Sequence, residues 1–279
     1  MKKASLEEMV KTTKRGVART YPKRYEMAVV LPDMHVPFHD EQALAPVIRF
    51  IQDYKPQKII QAGDMYDFYE LSKFDKDPKR EKHLQDEIDE GKQIWRRLKY
   101  ASPRSELILI EGNHERRLHK YLMRNPELHS LTSLRLENVL EVKSLGVKVV
   151  LAEDDYFLNE NLLVTHGASD DGCKLSTKSG YTANANLLKK GVSGLQGHSH
   201  RLGASFKSDY KGQKVWYELG CLCKLNPEYS KNPDWQQGFA VVHYGKHYFN
   251  VQLIPITEKY NFYYGGKLYR GSLQKTKKG

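Results

Sequence analysis

Met27-Ala28-Val29-Val30-Leu31 runs directly into Pro32-Asp33-Met34-His35, and the reading of the chain turns on this junction. The apolar run is short and rich enough in β-branched residues for a buried strand. Two potential metal ligands follow it at once. The same grammar recurs downstream. Asp40 reads as the N-cap of a helix carrying Leu44, Val47, Ile48 and Ile51 on one face. Lys58-Ile59-Ile60-Gln61-Ala62 is a second strand and stops at Gly63-Asp64. Asp77-Pro78 predicts the start of a longer helix with Leu84, Ile88, Trp95 and Leu98 on one face. Glu106–Ile110 is a third strand, ending at Gly112-Asn113-His114-Glu115.

Three strand-then-helix units in succession argue for an α/β fold with a largely parallel sheet. Ligands of such sheets bind beyond the carboxyl ends of the strands, where all three polar clusters lie. Past Glu115 a basic helical stretch is expected over 116–140. The pattern then turns to β at Val147–Leu151, Tyr156–Leu158 and Leu162–Thr165, the last leading into His166-Gly167. A helix over Thr182–Lys190 closes on Gly191. Val192–Gln196 leads to Gly197-His198-Ser199-His200, and Lys214–Leu219, Phe239–Tyr244 and Tyr248–Ile254 read as antiparallel strands, the last two joined at Gly245-Lys246. The chain divides into a basic segment 1–24, one continuous domain 25–256 and a basic, Tyr-rich tail 257–279.

The net charge of +11 suggests a polyanionic partner until its distribution is examined. Residues 1–24 hold eight Lys/Arg against two Glu, residues 265–279 hold five and no acid, and the stretch between is neutral. The basic ends are read either as solvated tails or as a grip on nucleic acid. Tyr260, Tyr263, Tyr264 and Tyr269, interleaved with Lys267 and Arg270, could stack bases there. Three cysteines are too few for a disulfide scaffold, no apolar run approaches a membrane span, and no secretory signal opens the chain, so a cytoplasmic protein with no membrane partner is expected.

Taken singly, Asp33-x-His35, Gly63-Asp64-x-x-Asp67, Asn113-His114, His166 and His198-x-His200 are weak signals. Together they place imidazole, carboxylate and amide oxygen after successive strands, a donor set suited to Mn, Fe, Zn or Ni. In their order, the five blocks resemble the signature of the calcineurin-like metallophosphoesterases, over about Val29 to His200. The resemblance implies a four-layer αββα sandwich of two mixed β-sheets. It also implies two divalent ions, Mn before Fe, Zn, Ni or Mg. Asp33, His35 and His200 would bind one, Asn113, His166 and His198 the other, and Asp64 would bridge them. His114 would serve the leaving group, oriented by Asp67.

The implied activity is that of a metal-dependent phosphoric ester hydrolase using a metal-bridging hydroxide. The expected substrate is a phosphodiester in DNA, RNA or a nucleotide. Alternatives are a phosphomonoesterase, including a protein Ser/Thr phosphatase, and a binding protein that has lost activity. Phe68 stands where the commonest form of the family has arginine. His39, Arg116 and Arg117 are the basic candidates to replace it, weighed against plain surface placement. Cys221-Leu222-Cys223 is expected to pack beneath the site, neither ligating nor exchanging electrons. Together with Pro233–Phe239, that run resembles phosphoesterases encoded by phages.

Overall fold

The computed structural model describes residues 25–73, 75–76, 81–167, 175–210, 212–226 and 233–271. Strands β1 (Glu26–Leu31), β2 (Lys58–Gln61), β3 (Glu106–Ile110) and β4 (Val147–Val150) lie parallel in one sheet. Its other edge is extended antiparallel by β10 (Gly238–Tyr244) and β11 (Phe249–Pro255). A second mixed sheet has the order β5-β6-β7-β9-β8, from β5 (Tyr156–Asn159), β6 (Leu162–Thr165), β7 (Ser193–Gln196), β8 (Leu202–Asp209) and β9 (Gly212–Leu219).

Strand alternation explains why these runs are apolar throughout. Val29, Leu31, Ile59, Leu107 and Leu109 face the helical layer of α1 (Glu41–Tyr54) and α2 (Leu84–Ala101). Ala28, Val30, Ile60, Ile108 and Ile110 face the other sheet, meeting Leu162, Val164, Leu195 and Leu219. On the far side of the second sheet, Leu163 and Trp216 pack on Ala183 and Leu187. Those two residues belong to the helix Tyr181–Lys190, which ends on left-handed Gly191. The result is the expected four-layer α/β sandwich of two mixed sheets. No helix among the described residues is long and apolar enough to cross a membrane.

Several elements depart from the sequence expectation. The second long helix begins at Leu84, whereas Asp77-Pro78 lie outside the described residues. Its opening N–H groups are met by side chains: Asp86 accepts from His83 N, and Glu70, from a neighbouring turn, accepts from Leu84 N. The basic stretch after Glu115 is not one helix. α3 covers only Arg116–Arg124, because Pro126 forces Asn125 out of helical geometry (φ −126°, ψ 71°), and single turns follow.

Strand β8 carried no clear β pattern and forms by pairing along the whole of β9, from Leu202↔Leu219 to Asp209↔Gly212. Within the segment expected to be a tail from residue 257, β12 (Asn261–Tyr264) and β13 (Lys267–Arg270) make a hairpin. Phe262 and Tyr269 are buried against Phe50 of α1. Tyr264 also packs on Phe50, and Tyr263 is exposed.

Candidate metal centre

The parallel arrangement brings the carboxyl ends of β1, β2 and β3 to one edge, and β6 and β7 deliver theirs to the same place. Two groups of donors converge there. In one, Asp33, His35 and His200 lie together; in the other, Asp64, His166 and His198. Asn113 joins the second, its Oδ1 2.9 Å from His166 Nε2. Asp64 stands between the groups, with Oδ2 3.1 Å from His166 Nε2 and 3.7 Å from His35 Nε2. All seven candidate ligands are therefore in one cluster, with Asp33, Asp64, His35, His166 and His200 buried.

The spacing is informative. His35 Nε2 and His200 Nε2 are 3.0 Å apart, and His200 Nε2 is 3.3 Å from Asp33 Oδ1. Two donors each about 2.1 Å from one ion and at right angles to each other would be separated by roughly 3.0 Å. The tautomer of one ligand is also set. His166 Nδ1 donates to the Ala62 carbonyl at 3.0 Å, which leaves Nε2 to face Asn113 Oδ1 and Asp64 Oδ2. Lone pairs aimed at one another in a buried place call for positive charge between them. These residues fit divalent cations.

The backbone is bent to make this cluster. His35, Asp64, His198 and His200 all have positive φ (49°, 51°, 64° and 54°), making up half of the eight non-glycine residues with that geometry among those described. His and Asp tolerate the left-handed region better than most residues, yet such outliers persist only where their surroundings hold them. Here both Met34 N and His35 N donate to the Asp64 carbonyl, and His198 N donates to the Asp33 carboxylate. Gly63 turns with φ 89° beneath the His166 side chain, where a Cβ would come within 2.5–2.7 Å of its Nδ1, Cγ and Cβ. A Cβ on Gly197 would collide with Asp33 Oδ2.

Charge balance follows from the same crowding. Burial lowers the His166 pKa, but the Asp64 carboxylate outweighs it and raises the value to about 10. Asp33 likewise overcomes burial at His200, whose pKa is raised. Burial and neighbouring imidazoles win at the other two: His198 is lowered to about 4 and His35 is also lowered. A cation would take the place of a proton as the positive charge that these carboxylates favour beside His166 and His200.

Beside the cluster, His114 Nδ1 lies 3.1 Å from Asp67 Oδ1 and 2.8 Å from the Asp67 carbonyl. Burial lowers the His114 pKa, yet Asp64 and Asp67 together leave it raised. Asp67 also faces His35 Nδ1 at 3.4 Å. The three basic candidates separate. Arg117 donates to the Asp67 carbonyl at 2.7 Å and lies 3.1 Å from His114 Nε2, so it borders the centre. Arg116 lines a cavity of about 330 Å³ that includes Asn113, His166 and Lys190. His39 sits between Glu41 and Glu90, at 3.8 Å from each.

Sequence reasoning gave Glu115 no role. It is fully buried, and its carboxylate accepts from Asp64 N, Gly112 N and Tyr66 N at 3.0, 2.8 and 2.9 Å. Burial and the Asp64 charge push its carboxyl up to about 7. It ties the β2 and β3 loops together, and its place directly after Asn113-His114 was the available hint. Trp235, whose ring meets His200 edge-on at 4.2 Å between centroids, was likewise unassigned.

Residues 28–219 match the family described as calcineurin-like phosphoesterase. The chain is 31% identical over 242 residues to the Gene 54 protein of Mycobacterium phage L5, covering 82% of this chain and 92% of that one. It is 29% identical over 239 residues to the Gene 54 protein of Mycobacterium phage D29, with the same coverage. Among solved structures, Vps29 of Chaetomium thermophilum aligns with a TM-score of 0.45 and 10% identity over 84% of this chain and 90% of that one. A metallophosphoesterase from Sphaerobacter thermophilus aligns at 0.41 and 11%, over 82% and 88%.

Proposed function

The chain belongs to the calcineurin-like phosphoesterase family, and from that premise we propose that it is a two-metal hydrolase of phosphodiesters in nucleic acid or nucleotides. The observation that carries this reading is the pair of donor groups meeting at Asp64. Asp33, His35 and His200 would hold one ion and Asn113, His166 and His198 the other, with Asp64 shared. When bound, divalent ions supply activation of water and neutralisation of phosphate charge, and the N/O donor set suits manganese.

The residues around them have their own tasks. Asp67 accepts from His114 Nδ1, which leaves His114 Nε2 directed away from Asp67. Asp64 and Asp67 raise the pKa of that ring, which favours the protonated form a general acid needs toward the departing alkoxide oxygen. Alkoxides are poor leaving groups, so this acid matters most for an unactivated diester. Arg117, held by the Asp67 carbonyl, sets a guanidinium beside His114 where a phosphate oxygen can be gripped. Support for a nucleic acid or nucleotide comes from the basic ends, since the body between them is neutral.

The test is hydrolysis of bis-p-nitrophenyl phosphate and of p-nitrophenyl phosphate by the Mn-loaded protein, beside single- and double-stranded DNA and RNA. The diester should be cleaved faster. Cleavage of the monoester alone would overturn the diester reading, and inertness with Mn, Fe, Zn, Ni and Mg would overturn the enzyme reading. His114→Asn should lower kcat by about 10²–10⁴ with metal content unchanged. Loss of metal would instead make His114 a ligand.

A further inference from the structure

The phosphoesterase reading leaves one buried group of ligand atoms unused. Residues 221–223 lie beneath the candidate metal centre and are clasped from both sides. Cys221 N donates to the Gln236 carbonyl at 3.0 Å and Leu222 N to the Asp33 carbonyl at 2.9 Å, while the Leu222 carbonyl accepts from Asp40 N at 2.8 Å. Isolated bridges pair Cys221 with Gln237 and Cys223 with His39. Leu222 is buried in the helix-side core, while Cys221 and Cys223 are buried beside His200.

There the two sulfurs and a ring nitrogen of His200 all lie within 4.8 Å of one another. Cys221 is wholly buried and Cys223 is 3% exposed. A second observation bears on the same ring. His200 Nε2 is engaged with His35 and Asp33, at 3.0 and 3.3 Å, whereas His200 Nδ1 is buried without a hydrogen-bond partner. A buried imidazole nitrogen left in that state is unusual.

We infer that Cys221, Cys223 and His200 form a third metal site, for one thiophilic divalent ion such as Zn²⁺ or Cd²⁺, sharing His200 with the dinuclear centre. The donor chemistry separates the two. Asp33, His35, Asp64, Asn113, His166 and His198 offer oxygen and nitrogen, while a pair of thiolates favours softer ions. Binding replaces the two S–H bonds by metal–sulfur bonds of about 2.3 Å and the Nδ1–H bond of His200 by a metal–nitrogen bond, so three protons go to solvent with no change of oxidation state. A tetrahedral ion would hold the sulfurs roughly 3.8 Å apart, within the 4.8 Å that bounds their present spacing. Water completes the coordination. The site would also account for two cysteines in a position where packing alone asks only for small residues.

The experiment reads bound cadmium and not turnover, so its outcome is independent of the phosphoesterase assay. Cys173→Ser leaves Cys221 and Cys223 as the remaining thiols of the chain. That protein, saturated with Mn²⁺ to fill the oxygen and nitrogen sites, is titrated with Cd²⁺ while the ultraviolet sulfur-to-cadmium charge-transfer band is followed. The band should saturate at about one Cd²⁺ per chain, and cadmium NMR should place the resonance in the range for two sulfurs and nitrogen. Further replacement of Cys221 and Cys223 by Ser should abolish the band with the circular dichroism spectrum retained. Absence of a band in the folded Cys173→Ser protein overturns the inference without recourse to the other variants. Saturation at about half a Cd²⁺ per chain, which would mean bridging between molecules, overturns it equally. So does a cadmium resonance that reports sulfur and oxygen with no nitrogen.

Discussion

The metal-facing edge of the sandwich and the face covered by the β12–β13 hairpin bury their side chains in opposite ways. At the edge, carboxylates and imidazoles are packed together away from water, and four of the seven candidate ligands adopt left-handed backbone. At the hairpin, Phe50, Phe262 and Tyr269 meet as aromatic rings, Phe262 and Tyr269 stacked with 5.1 Å between centroids and 14° between planes. Polar atoms there find partners: Tyr269 Oη and Lys267 Nζ both donate to Asp53, at 2.8 and 2.6 Å. The edge concentrates unfavourable charge and strain that a bound cation would relieve, whereas the hairpin contributes stability that needs no ligand. Perturbing the edge should therefore show in function and metal response, and perturbing the hairpin in stability alone.

The largest effect is expected from Asp64→Asn, which keeps the shape and the tolerance of positive φ but removes the shared charge. Turnover should fall by about 10³-fold or more. The stabilisation that Mn²⁺ gives the native protein, about 2.7 kcal/mol at a hundred times Kd, should also vanish, while the metal-free Tm moves little. A variant that still gains Tm with Mn²⁺ would break the contrast.

Next in size is Phe262→Ala, which opens a cavity under the hairpin and should cost about 3–5 kcal/mol in urea unfolding. Metal content per folded molecule should be unchanged; a loss of metal would show that the two regions are coupled. The smallest effect is that of Tyr269→Phe, worth about 0.5 kcal/mol at neutral pH because the bond to Asp53 is partly solvated. Lys267 and Tyr269 hold the Asp53 carboxyl below its ordinary range. A depressed carboxyl contributes stability above its unfolded pKa and loses it as pH falls through the folded one. The difference between variant and native protein should accordingly close in acid, and a difference that widened there would contradict the assignment.

Reading the sequence was effective where local signals and tertiary demands agreed. Met27–Leu31, Lys58–Gln61 and Glu106–Ile110 are apolar on both faces because both faces are covered, and the donors that follow them are turned to one edge by parallel pairing. Asp40 caps its helix as expected, its Oδ1 accepting from Gln42 N. The reading failed where a distant partner decided. Leu202–Asp209 becomes a strand because β9 offers a ladder, not because Gly203, Ala204 and Ser205 favour one. The helix-start signal at Asp77-Pro78 lies outside the described residues, and the described helix opens at Leu84, where Glu70 and Asp86 accept the first N–H groups. Of His39, Arg116 and Arg117, the last lies 3.1 Å from His114 Nε2, a placement that depends on how α3 leaves the β3 loop.

What the sequence determined by itself was the list of chemically capable residues and their order after successive strands, because the strand period and the strand-end position of Asp33, Asp64, Asn113, His166 and His198 are local properties. The tertiary structure alone decided their separations, the left-handed backbone at His35, Asp64, His198 and His200, and the approach of Cys221 and Cys223 to His200. It also turned the late tyrosines from a tail into a packed hairpin. The physical reason is the same in each case: these outcomes depend on contacts between residues tens to hundreds of positions apart, and no window of sequence contains both partners.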